Sequence, residues 1–118
     1  GILPGGGVAM LKARKALEKA RKSASGDERI GMDIVYRAVA APIKQIAANC
    51  GLDGSIVANK VEESSDVAFG YNALTHEYGD LMKMGVIVPT KVERVALQNA
   101  ASIAGLLLTT DAAVVEIK

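Results

Sequence analysis

Pro4-Gly5-Gly6-Gly7 places three consecutive glycines directly before Val8-Ala9-Met10. Backbone without Cβ atoms lets a flat or anionic ligand approach closely. A Walker-type phosphate loop needs Gly-x-x-x-x-Gly-Lys-Ser/Thr, so that backbone amides and a lysine hold the phosphates together. The residues directly after these glycines are aliphatic. The dinucleotide fingerprint also fails, because no strand of useful length precedes the turn. The competing use of the glycines is structural, as close packing or a tight entry into a helix. His76 is the single histidine, and the single cysteine, Cys50, is remote from it in sequence. No metal-ligand spacing surrounds His76, and no Ser-His-Asp or Cys-His pattern includes it. It reads as an ordinary surface or partly packed histidine. The carboxylates are scattered, with no close pair framed by apolar residues. The residues alone therefore point to no catalytic centre.

The elements that would position these residues follow from composition and periodicity. The chain has 118 residues, half of them hydrophobic, with one Phe, three Tyr and no Trp. A core built from Ala, Val, Ile, Leu and Met suits packed helices in a single domain. A net charge of +1 gives no electrostatic case for nucleic acid. A lone cysteine excludes an internal disulfide and fits a reducing compartment. No apolar run reaches the roughly 18 residues that span a bilayer, so no membrane partner is expected. The chain opens on a turn, as a piece cut from something larger would.

Met10, Ala13, Leu17 and Ala20 recur at helical spacing over Val8 to Lys22, amid six basic residues that read as a solvated face. Ser23 to Gly26 is a polar break. Asp27 and Glu28 then favour a helix N-terminus, and a second helix is expected to run to about Asn49. It is apolar over most of its girth, with a kink at Pro42. Gly51 is a natural left-handed residue beyond its end. A short third helix is expected over Ser55 to Glu62, capped by Asp53 or Ser55. Val67 to Asn72, with Phe69 and Tyr71, reads as a strand, and Thr75 to Tyr78 as its return. Asp80 to Met84 forms about one helical turn, ended by Gly85. Pro89 fits a first-turn proline, and Thr90 with Glu93 has capping-box spacing. Val92, Val95, Ala96, Asn99, Ala100, Ile103 and Leu107 then make the stripe of a last helix. Ala112 to Ile117 reads as a strand. The expected fold is mainly α: four or five helices, a small β-hairpin and a C-terminal strand.

The order of the segments is more specific than any one of them. "PGGGVAMLKA", "RAVAAPIKQIAANCG" and "FGYNALTHEYGDLMKMGVIVPTKVERVALQNAASIAGLLLTTDAAVVEIK" together resemble the C-terminal part of the equatorial domain of group I chaperonins, the GroEL type. The resemblance covers essentially residues 1–118, and Archaeal and eukaryotic cytosolic chaperonins look less similar in these segments. It implies a subunit of a double ring of identical subunits. Such rings enclose unfolded polypeptides and fold them with ATP, Mg2+, K+ and a lid-forming co-chaperonin. The compartment implied is the bacterial cytoplasm or an organelle matrix. By resemblance, Gly6 contacts the nucleotide, and Asn72, Ala73 and Leu74 line its base and ribose side. Lys44 and Asp53 fall where the family has oppositely charged residues in contact between rings. The final strand resembles one that joins a neighbouring subunit's sheet.

Two departures stand inside the motifs. Val88 occupies the position where the family typically has an Asp that meets the ribose hydroxyls. Loss of a charge-assisted hydrogen bond costs roughly 1.5–3 kcal/mol. Leu74 adds bulk where the family often has Ala. The family's phosphate loop, metal-binding aspartate and catalytic aspartate match no part of this sequence. Positioned charge neutralisation is what phosphoryl transfer requires. The expectation is therefore a chain that does not hydrolyse ATP alone and binds no cofactor in isolation. The alternative reading is an autonomous helical module that self-associates through exposed apolar faces.

Overall fold

The computed structural model describes residues 1–110 and 114–117. In chain order they form β1 (Ile2–Pro4), α1 (Val8–Lys12), α2 (Arg14–Arg21), α3 (Gly26–Ala38), α4 (Ala41–Asn49), α5 (Gly54–Glu63), β2 (Phe69–Asn72), β3 (Glu77–Asp80), β4 (Ile87–Pro89) and α6 (Thr90–Thr109). The fold is mainly helical with two small antiparallel sheets, β1 with β4 and β2 with β3.

Both long helices expected from periodicity are interrupted. The first breaks at Ala13, where the Ala16 amide donates to the Ala13 carbonyl at 3.1 Å. On either side of that break Lys12 reaches the end of α5 and Arg14 reaches Tyr36 and Glu62. The second ends at Ala38 and restarts at Ala41, so Pro42 lies in the first turn of α4 and produces no mid-helix kink. The first turn has no intrahelical use for the amide that proline lacks. Gly51, at φ +78°, ends α4 as expected. The Leu52 amide returns to the Ala47 carbonyl and that of Gly51 to Ala48, which is a Schellman closure. Asp53 supplies the α5 cap, its carboxylate accepting from the Ser55 and Ile56 amides at 2.8 and 3.3 Å.

The hairpin forms with Tyr71 opposite Tyr78, and its return strand lies two residues later than expected. The other sheet was not anticipated. Ile2, Leu3 and Pro4 pair with Pro89, Val88 and Ile87, joining the start of the chain to the entry of α6. Three-residue strands are too short to leave a periodic signal. That ladder also displaces the expected cap. Pro89, not Thr90, is the N-cap residue, it makes no side-chain cap bond, and the Thr90 amide donates to the Gly1 carbonyl at 2.9 Å. The expected C-terminal strand is not found at residues 114–117, where Val114, Val115 and Ile117 are exposed and no strand pairs with them. Ala112 and Ala113 lie outside the described residues.

The core joins α1, α4, α5 and the hairpin. Val8, Leu11, Ala40, Ile43, Ala47, Val57, Ala58, Val61, Tyr71 and Leu81 form one buried cluster. Helices α2, α3 and α6 bury no residue. The α2–α3 pair is held by polar contacts instead. The Tyr36 ring lies 4.4 Å from the Arg14 guanidinium and 4.7 Å from that of Arg21. Arg21 also pairs with Asp33 at 2.5 Å.

Candidate functional site

The glycine turn is shaped first by packing. Gly6 and Gly7 have φ +65° and +78°, a region that residues with a Cβ rarely adopt. A Cβ on Gly7 would sit 2.6–2.9 Å from the Ile43 backbone and side chain on α4. On Gly6 it would meet Leu81 Cδ1 at 3.1 Å and the Tyr71 carbonyl at 3.4 Å. The Gly5 amide donates to the Val86 carbonyl at 2.8 Å. The three glycines thus let α1 start while wedged between α4, the hairpin and the segment before β4. This is the structural use that the residues alone left open. It also places Gly6 against β2, one residue before Asn72.

Asn72 is the buried polar residue of this region. Its Oδ1 accepts from the Leu74 amide at 3.0 Å and the Thr75 amide at 3.3 Å, and its Nδ2 lies 3.7 Å from Met84 Sδ. The side chain therefore builds the hairpin turn, a local bond pattern typical of Asn. What remains for a ligand is the backbone of Ala73 and the outward Leu74 side chain, which is 89% exposed. Val88 is half-buried at the centre of β4, opposite Leu3. Gly6, Asn72 and Ala73 thus lie on one side of the body, whereas Val88 reaches the glycine turn only through the β1–β4 ladder. None of these five residues carries a positive charge. The set offers no cation to an anionic ligand.

The nearest lysine in sequence is already engaged. Lys12 Nζ donates to the Val61 carbonyl at 2.9 Å and the Ser64 carbonyl at 2.7 Å, closing the end of α5, where a cation is favoured. Burial holds its ammonium below the ordinary lysine range, and Lys15 adds to the effect. Its place among the basic residues of Val8 to Lys22 predicts a solvated face instead. Helical periodicity through Ala13 concealed the change of direction there.

His76, expected as an ordinary surface or partly packed histidine, is exposed and locally tied. It takes φ +58°, and its Nδ1 lies 2.9 Å from the Tyr71 hydroxyl. Burial pushes the Tyr71 phenol up, with Cys50 and Tyr78 contributing. Tyr71, Tyr78 and His76 line a cavity of about 460 Å3 with Leu52, Asp53, Ile56 and Val57. Lys44 and Asp53 share a second concavity with Gly54 and Ser55. A Cβ on Gly54 would lie 2.8 Å from the Lys44 backbone, so α5 starts directly against α4. The two charges are neighbours on one surface, with the Asp53 carboxylate spent on its helix.

Among the described residues no helix is long and apolar enough to cross a membrane, and no group of three His, Cys, Asp or Glu could hold a metal ion. A mainly helical body is thus entered through a glycine turn and closed by a short tyrosine-rich hairpin. The model of the TCP-1/cpn60 chaperonin family matches residues 1–118. The chain belongs to that family, which supports a chaperonin-type role in protein folding.

Proposed function

We propose that residues 1–118 are the C-terminal half of the equatorial domain of a group I chaperonin subunit and form one wall of its nucleotide pocket. In this reading Gly6, Ala73 and Leu74 face the sugar and base, Asn72 fixes the turn that presents them, and Val88 flanks the ribose. ATP with Mg2+ and K+ is completed by residues outside this sequence. Lys44 and Asp53 lie on the face toward the opposite ring. Identical subunits, a co-chaperonin lid and unfolded polypeptides are the partners, in a bacterial cytoplasm or an organelle matrix. The observation that supports the reading is the seating of the Gly6 backbone against Tyr71, adjacent to the Asn72 turn.

The test is a titration of ATP into this chain, followed by calorimetry and by backbone amide NMR shifts. No tight binding and no hydrolysis are expected. At millimolar ATP, shifts are expected at Gly6, Ala73, Leu74 and Val88. Val88→Asp should enhance those shifts by restoring a carboxylate for ribose hydroxyls, since a charged hydrogen bond contributes roughly 1.5–3 kcal/mol. Tight binding by the chain alone, or shifts confined to other faces, would overturn the proposal.

A further inference from the structure

Met84 holds its sulfur where a buried amide needs an acceptor. The Met84 amide donates to the Asp80 carbonyl at 3.1 Å, and Gly85, at φ +77°, ends that single turn. The Val86 amide returns to the Leu81 carbonyl at 2.9 Å and that of Gly85 to Met82 at 3.3 Å, so the backbone around Met84 is closed on itself. Its side chain lies against β3. A Cβ on Gly79 would sit 2.6 Å from Met84 Cε, so the methyl group occupies room that only a glycine leaves. The sulfur then lies 3.7 Å from Asn72 Nδ2.

The two sides of that contact are unequal. Asn72 is only 6% exposed, so little water reaches it. Its Oδ1 is well used, by the Leu74 and Thr75 amides. Its Nδ2 carries two hydrogens, and the thioether is the acceptor it reaches among the described residues. A thioether is a weak acceptor, and a buried donor without a good one costs free energy. Met84 is 38% exposed, whereas Met10, Met32 and Met82 are half-buried.

We propose that Met84 is a site of reversible oxidation by peroxides, and that its sulfoxide clasps the hairpin turn more firmly than the thioether does. A sulfur lone pair attacks one peroxide oxygen, the O–O bond breaks, and the departing hydroxide takes up the remaining proton and leaves as water. Sulfur is oxidised by two electrons and the peroxide is reduced by two. The lone pair directed at Asn72 is engaged, so the oxidant meets the other one, and a single sulfoxide epimer predominates. Each epimer has its own reductase, which makes the mark removable. Rotation about the flexible end of the side chain brings the new oxygen to Nδ2. Elsewhere such oxidation disrupts apolar packing; here the added dipole meets a donor that lacked a strong acceptor. Asn72 builds the turn that carries Ala73 and Leu74, so the state of Met84 is felt along that edge. The clasp is independent of the nucleotide reading, since no ligand takes part in it.

Titration of hydrogen peroxide into the purified chain tests it, in a Cys50→Ser background so that no thiol competes for the oxidant. Peptide mass spectrometry should show Met84 oxidised several-fold faster than Met10, Met32 and Met82. One of the two epimer-specific reductases should reverse most of it. In the oxidised chain, amide exchange at Leu74 and Thr75 should slow roughly threefold or more, as one added hydrogen bond allows. Asn72→Asp keeps an oxygen for those two amides and removes the donor. In that variant both epimers should form, and exchange should not respond to peroxide. Met84→Leu should likewise abolish the response. Oxidation of Met84 no faster than that of the half-buried methionines would overturn the proposal. So would an even mixture of epimers in the parent chain, unchanged or faster exchange in its sulfoxide, or the same slowing in Asn72→Asp or Met84→Leu.

Discussion

The body and the arms of this molecule use the same residue types to opposite ends. In the body, a Cβ added to Gly7, Gly54 or Gly70 would lie within 2.9 Å of a neighbouring backbone or side chain. In the arms, a Cβ on Gly26, Gly31 or Gly105 would meet nothing within 4 Å. Leu81 in the body is fully buried, whereas Leu106 on α6 is 65% exposed. Contacts within the chain determine the body. The arms are determined by helix propensity and by a few polar ties, and many of their apolar residues stay exposed.

Substitution can break or sharpen that contrast. Gly7→Ala should have the largest effect. It forces a left-handed alanine, at about 1–2 kcal/mol, and drives a methyl into Ile43, at about 1–3 kcal/mol more. Urea denaturation should show much of a small domain's stability gone, since that total is about 5–15 kcal/mol. Leu81→Ala should cost about 3 kcal/mol by opening a cavity, while Leu106→Ala should stay within about 0.5 kcal/mol. Equal losses at the two leucines would erase the distinction between body and arm.

Lys12→Met should cost about 1–3 kcal/mol, because the Val61 and Ser64 carbonyls lose their donor. The wild-type ammonium is held below its ordinary value by burial. The unfolded chain therefore binds more protons in the window just below the lysine range, and this group's contribution grows as pH rises through it. Denaturation midpoints from pH 8 to 10.5 should show a rise that Lys12→Met removes. The phenols act in reverse. Burial raises Tyr36, with Glu18 adding to it, and burial raises Tyr71. Above pH 10 the folded chain keeps protons that the unfolded chain releases, so stability falls. Tyr36→Phe should lessen that alkaline loss. The smallest expected effect is a gain. Gly31→Ala, in the exposed interior of α3, should stabilise by about 0.5–1 kcal/mol. A loss there would show that something packs on that face.

Much of the body was legible because its signals are local. The Asp53 cap, the Gly51 closure and the tyrosine hairpin each depend on residues a few positions apart. The breaks at Ala13 and Val39-Ala40 were not, since apolar periodicity passes through both and only tertiary contacts separate their two sides. The pairing of Ile2–Pro4 with Ile87–Pro89 has no local signature at all. At the candidate site, motif order singled out Gly6 and Asn72, yet spacing could not tell a glycine that admits a ligand from one that admits Ile43. Nor could it tell an asparagine that touches a sugar from one that folds a turn. The expected final strand came from β-branched residues alone, and such residues make a strand only where another strand accepts them.

The β1–β4 ladder has a mechanical consequence. It is pinned at one end by Thr90 on the Gly1 carbonyl and at the other by Gly5 on the Val86 carbonyl. A tilt imposed on α6 therefore has no slack loop in which to dissipate. It is delivered along a short stiff tie to the glycine turn, so whatever leans on the long outer helix also tugs at Gly6.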